Sequence, residues 1–185
     1  MTDSRPNSKP AYISHYGLRT KRRKEMIQWY QTVFGAKIQH ENDFLAFMTF
    51  DEEHHRLVIW EDPDTVDKPE TAAGIDHVGY GLASFGDLVA AYERLKAQDI
   101  IPFLPLNHKF TTSLYYHDPD GNEVELSVDN FTSKDECNHF IQSNDMAEIG
   151  RPPFGYSFDP DALAKLYHDG ASVEQLARIG MSQID

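Results

Sequence analysis

Cysteine is almost absent: Cys137 is the only one in a chain of 185 residues. That excludes an internal disulfide framework and a cysteine-rich metal site, and it fits a reducing, cytoplasmic setting. Long apolar runs are missing too. No stretch approaches the ~20 residues that cross a bilayer. The opening MTDSRPNSKP has no apolar signal segment and reads as a disordered tail over residues 1–10. Positive charge is scarce, with 17 lysines and arginines against 30 acids and a net charge of −13. Phosphate would be repelled, which excludes nucleic acid as the main partner. The one basic run, KRRK at 21–24, reads as a solvated loop or the start of a helix.

The remaining composition, 40% hydrophobic, 25% charged and 12% aromatic, is that of a soluble enzyme or binding domain. The chain also repeats itself. ISHYG (13–17) lies over IDHVG (75–79) at an offset of 62 positions, and the same offset sets Tyr30 on Tyr92 and Ile38 on Ile100. Each copy opens with a short strand and continues into an amphipathic helix. Met26, Ile27, Tyr30, Val33 and Phe34 keep helical spacing in the first copy, as do Leu88, Ala91, Tyr92 and Leu95 in the second. Gly35 is the expected stop of the first helix. Strand-like stretches follow: FLAFMTF (44–50) and RLVIWE (56–61), then IPFLPL, TTSLYY and NEVELSV.

The expected fold is therefore α+β: two βαβββ modules, 11–70 and 71–130, whose curved sheets form a cleft. Residues 131–185 are expected to be a helical extension of the same domain, with helices over 131–142, 159–170 (Asp159 as N-cap, Pro160 in the first turn) and 172–180. An irregular loop is expected over 150–158.

The repeat places His15 and His77 at equivalent points of the first strand in each half, and Glu125 on the last strand of the second. A lone strand histidine is usually a hydrogen-bonded structural residue, and a lone strand glutamate usually faces water. Two histidines coinciding under a repeat that a glutamate closes point instead to a metal. Two imidazoles and one carboxylate are the ligand set of non-haem Fe(II) oxygenase sites, which leave positions open for substrate and oxygen.

These residues carry a resemblance to the vicinal oxygen chelate superfamily, and within it to single-domain type I extradiol ring-cleavage dioxygenases. It covers roughly residues 12–130, and FDPDAL resembles the tails of that subgroup. The specific part is HKFTTSLYYHDPDGNEVE (108–125): His108, Leu114-Tyr115, the turn Asp118-Pro119-Asp120-Gly121 and Glu125 fall on the family signature. Leu106 stands where the family tends to have a smaller or β-branched residue.

The resemblance implies Fe(II), with Mn(II) compatible, held by His15, His77 and Glu125. The implied substrates are O2 and a catechol-type diol of the 2,3-dihydroxybiphenyl kind. His55 corresponds to an acid/base histidine, suited by its near-neutral pKa. Tyr115 corresponds to a tyrosine that hydrogen-bonds a substrate oxygen, and His108 to a further hydrogen-bonding group. Asp118 and Pro119 are expected to shape the turn. Trp60, Phe103, Phe110, Phe154 and Tyr156 are candidate pocket aromatics, and exposed sheet edges would permit a homodimer.

Two rivals are separable. A glyoxalase-like lyase generally adds a fourth ligand, a glutamate near the end of the first module. Register sets Ile59 or Trp60 there, and Glu61 would serve if the register were shifted. A metal-free binding module would lack the triad.

Overall fold

A computed structural model of the protein describes residues 9–69, 71–143 and 154–181. Most of the expected N-terminal tail and the start of the expected 150–158 loop lie outside these residues. The chain divides into two compact units, Met1–Asp67 and Lys68–Asp185.

The first unit runs β1 (Tyr16–Thr20), α1 (Arg23–Phe34), β2 (Lys37–Glu41), β3 (Leu45–Thr49) and β4 (Leu57–Glu61). Its sheet has the order β1-β4-β3-β2, with β1 parallel to β4 and the other pairs antiparallel. The helical spacing in the sequence is the buried face of α1: Met26, Ile27, Tyr30 and Val33 are buried, and Gly35 caps the end. Alternation in β4 sends Leu57 and Ile59 into that core, each removal of an aliphatic side chain from water contributing roughly 1.5–3 kcal/mol.

KRRK is not simply solvated. Lys21 and Arg22 each pair with Asp67 at 2.9 Å, while Arg23 is 7% exposed at the start of α1. Its guanidinium donates to Glu41 at 2.6 Å and Glu61 at 3.1 Å. A buried cation needs such partners, and here two carboxylates supply them.

The second unit repeats the plan as β5 (His77–Gly81), α2 (Phe85–Lys96), β6 (Leu104–Asn107), β7 (Thr111–His117) and β8 (Glu123–Asp129). The extension adds α3 (Lys134–Gln142), β9 (Tyr156–Ser157), α4 (Pro160–His168) and α5 (Val173–Leu176). Ser84, Ser133, Asp159 and Ser172 cap the helices by accepting backbone N–H groups, and Ser172 forms a capping box with Gln175.

The expected loop at 150–158 needs one correction. Tyr156–Ser157 pair with β6, so the sheet has five strands in the order β5-β8-β7-β6-β9. The extension also docks through α4. The Tyr92 hydroxyl donates to Asp161 at 2.8 Å, and Lys96 donates to the same carboxylate at 2.7 Å. No helix among the described residues is long and apolar enough to cross a membrane.

Candidate active site

In the second unit, β8 lies parallel to β5 and antiparallel to β7. Register sets Glu125 between Gly79 and Tyr115, and Glu123 between His77 and His117. Side chains two apart along a strand share a face, so His77, Tyr115, His117, Glu123 and Glu125 line one side of the sheet. On the other side, Val124, Leu126 and Val128 are buried in the core. Glu125 therefore lies on the face away from that core, with its side chain only 12% exposed.

Its neighbours explain the charge. His77 Nε2 is 3.3 Å from Glu125 Oε2, and His77 Nδ1 is 2.8 Å from Asp76 Oδ2. A ring that donates Nδ1–H to Asp76 turns its Nε2 lone pair toward the Glu125 carboxylate. Imidazole nitrogen with carboxylate oxygen is a donor pair suited to a divalent transition metal. The residues fit the group. Gly79 makes the approach feasible, because a Cβ there would stand 2.9 Å from Glu125 Oε2.

Tyr115 sits against His77 with ring centroids 5.4 Å apart, edge to face. Its hydroxyl lies 3.0 Å from His108 Nε2. Burial, reinforced by the Glu125 carboxylate and a hydrogen bond to it, holds the phenol far above its ordinary pKa, so it stays a donor. Burial pushes the His108 imidazole down, and hydrogen bonding to the Phe154 backbone and the Glu125 charge oppose that shift only in part.

In the first unit, His15 precedes β1 by one residue, whereas His77 is the first residue of β5. The expected equivalence therefore holds in sequence but not in strand assignment. His55 lies in the bend before β4, stacked on Phe47 at 4.8 Å and 4.5 Å from the His15 ring. Its Nδ1 meets His54 Nδ1 at 2.6 Å. Burial lowers its pKa, and the neighbouring His15 and His54 add to the effect, so it rests neutral and able to accept a proton.

Strand register identifies the first-unit counterpart of Glu125. Gly17 pairs with Val58 as Gly79 pairs with Glu125, so the residue at the equivalent register is Val58, not Ile59 or Trp60. Valine offers no ligand. Glu61 lies on the opposite strand face, bonded to Arg23.

The remaining candidates divide. The Asp118 carboxylate accepts Asp120 N–H, Asn122 N–H and Asn122 Nδ2, all at 2.9 Å, which is the expected turn role. Phe103 stacks on His117 with centroids 3.9 Å apart, and Phe110 stacks on His108 at 5.8 Å. Trp60 carries the Arg19 guanidinium at 4.8 Å, and Tyr156 has the Lys109 ammonium 5.9 Å from its ring.

Two cavities open in the second unit. One of about 730 Å³ passes Asp76, His117 and Glu123, beside the His77–Glu125 pair. The other, about 750 Å³, lies among Phe131, Phe140, Val173 and Met181 on the extension. Neither cavity is lined by His77, His108, Tyr115 or Glu125. Among the described residues, no group of three or more His, Cys, Asp or Glu is gathered to hold a metal; the pair His77–Glu125 is what the second unit contributes.

Sequence reasoning missed Asp76, Gly79 and Asn107. The first two stand in IDHVG beside a residue already singled out, and the divergence of the pair Ser14/Asp76 within an otherwise matching repeat was the available signal. Asn107 gave none.

The description of the Glyoxalase/Bleomycin resistance protein/Dioxygenase superfamily matches residues 12–126. The chain is 41% identical over 165 residues to "Biphenyl-2,3-diol 1,2-dioxygenase 2" of Rhodococcus globerulus, covering 89% of this chain and 85% of that one. It is 37% identical over 166 residues to "Biphenyl-2,3-diol 1,2-dioxygenase 3" of the same organism, covering 89% and 86%. A solved glyoxylase/bleomycin resistance protein/dioxygenase domain from Frankia sp. EAN1pec shares the fold, with TM-score 0.57, 20% identity, and 68% and 96% of the two chains covered. With these matches beside the paired strand–helix–strand plan, the chain belongs to the glyoxalase/bleomycin resistance protein/dioxygenase superfamily.

Proposed function

We propose that this protein is an extradiol dioxygenase. It would open a catechol ring beside its diol with O2, placing both oxygen atoms in the product. The substrate class proposed is an aryl catechol of the 2,3-dihydroxybiphenyl kind. Extradiol dioxygenases of this superfamily are metal-dependent. Fe(II) is the proposed metal, and His15, His77 and Glu125 are the proposed ligands; Mn(II) accepts the same donors. When bound, the metal supplies electron transfer between an electron-rich diol and O2.

The residues of the chain do the remaining work. Asp76 holds the His77 ring so that Nε2 faces Glu125. The Tyr115 hydroxyl, protonated under its burial, donates to a substrate oxygen. Before the diol binds, His108 Nε2 accepts that same proton and holds the hydroxyl in place; with the diol bound, the proton turns to the substrate oxygen. His55, neutral beside Phe47, takes a proton from the diol and returns it on ring opening. The single observation that carries the reading is the meeting of His77, Glu125, Tyr115 and His108 on one face of the second unit, within the signature that the sequence spells. The reading includes a cytoplasmic homodimer, consistent with the buried, unpaired Cys137 and the exposed edge strand β2.

The test is oxygen uptake by protein loaded anaerobically with Fe(II), against 3-aryl and 3-alkyl catechols, with His77→Ala as control. Uptake with a coloured ring-opened product, lost in the control, is the expected result. No uptake from protein holding one iron per chain would overturn the proposal.

A further inference from the structure

Asn107 closes β6 with a fully buried carboxamide, at 0% exposure. Every hydrogen-bonding position of that group is used. Its Nδ2 donates to the carbonyls of Ala177 and Ile179, both at 2.9 Å. Its Oδ1 accepts the Lys109 backbone N–H at 2.9 Å and Asn130 Nδ2 at 3.0 Å. Asn130 also donates to the Lys109 carbonyl at 3.1 Å and accepts the Thr112 hydroxyl at 2.7 Å. The two amides thus grip Lys109 by its N–H and its carbonyl. Lys109 needs the grip, because its φ of +69° is the left-handed region that a side chain disfavours. The residue so held follows His108 directly.

The tail reaches His108 from the other side as well. Its ring is hydrogen-bonded to the backbone of Phe154, and Nε2 lies 3.0 Å from the Tyr115 hydroxyl. A ring that donates one N–H to a carbonyl has its other nitrogen free to accept from Tyr115. Gly155, next in the chain, sits at φ +136°, and a Cβ there would stand 2.5 Å from the Asn107 carbonyl oxygen. The tail can approach β6 this closely only with glycine at that point.

We infer that the C-terminal extension is part of the active-site machinery, with Asn107 the positioning residue that fastens it. The carboxamide ties the backbone of Ala177 and Ile179 to the β6–β7 turn, and the turn with the Phe154 carbonyl sets one tautomer and one orientation of His108 toward Tyr115. This rests on the proposed role of Tyr115 and His108 at a substrate oxygen, but the state of the His108 ring is measurable without substrate.

Two variants approach the contact from opposite sides. Asn107→Asp keeps the size and the acceptors but removes both donors to the tail. Gly155→Ala forces the tail off β6. Long-range 1H–15N correlation spectra of the full chain, without added iron, report histidine tautomers, and the His108 signal is assigned by its loss in His108→Phe. We expect the parent to show a single tautomer with Nε2 unprotonated, and both variants to show a mixture. With iron, kcat should fall about 10-fold, well short of removing a proton-transfer group, while KM moves less than about 2-fold and iron stays at one per chain. A folded variant whose His108 keeps the single tautomer would overturn the inference, as would a mixed tautomer with unchanged kcat. Should Asn107→Asp not fold, Gly155→Ala alone decides by the same readouts. A parent that turns over no catechol, yet whose tautomer still shifts in the variants, would sink the proposed function and leave the positioning of His108 standing.

Discussion

Gly17 on β1 of the first unit pairs with Val58; Gly79 on β5 of the second pairs with Glu125. In the first, the space above the glycine is open, its nearest contact being a backbone oxygen at 4.0 Å. In the second, the glutamate carboxylate fills it. The preceding residues diverge in the same sense. Ser14 offers His15 a hydroxyl at 3.3 Å, whereas Asp76 offers His77 a carboxylate at 2.8 Å. One plan has therefore been kept in both units, while the proposed acidic ligand Glu125, Tyr115 and His108 all lie in the second. The carboxylate of the first unit, Glu61, went instead to Arg23 and the stability of α1. Glu61 shares the face of buried Leu57 and Ile59, whereas Glu125 lies on the face away from buried Val124 and Leu126.

The comparison can be broken most severely at Tyr115. Tyr115→Phe removes the hydroxyl and leaves the packing, and kcat should fall about 10²- to 10⁴-fold, the range for a positioned proton donor. The parallel change Val58→Ala in the first unit, which carries no such group, should leave kcat within a small factor. Steady-state kinetics on both decide whether the asymmetry is chemical. Next in size is Asp76→Asn, which weakens orientation of His77 and should lower metal affinity about 10-fold. Ser14→Ala, at the matching place, should lower it less. Anaerobic titration of each variant measures the difference.

Much of this was legible in the sequence because the signals are local. The apolar spacing of α1 and α2 and the caps at Asp159 and Ser172 follow from spacings within a few residues, the run from His108 to Glu125 is continuous, and the repeat shows as matching short words 62 positions apart. What was not legible depends on contacts across the chain. Whether Glu61 faces the site or the core turns on one residue of register, and only the pairing of Gly17 with Val58 fixes it. Arg23 looked solvated until two acids from distant strands closed on it. Tyr156–Ser157 is too short and too flanked by glycine and proline to announce a strand, and its partner is supplied by β6. Asn107 carries no motif, since the partners that tie it to the extension are backbone carbonyls some seventy positions away.

The smallest expected effect concerns pH. Burial lowers the His108 pKa in the folded state, so the unfolded chain binds its proton more readily. The stability tied to neutral His108 is therefore fully present above about pH 6.5, the unperturbed value, and is lost as pH falls through the folded value. His108→Gln should flatten the decline in stability on acidification below that point, measured by denaturant unfolding at several pH values.

The central claim is that Glu125 is the acid that holds the metal and Glu61 is not. Its most direct test is anaerobic Fe(II) titration of the parent, Glu125→Gln and Glu61→Gln. The account predicts one iron per chain in the parent and in Glu61→Gln, and none retained in Glu125→Gln. Iron kept by Glu125→Gln and lost from Glu61→Gln would contradict it.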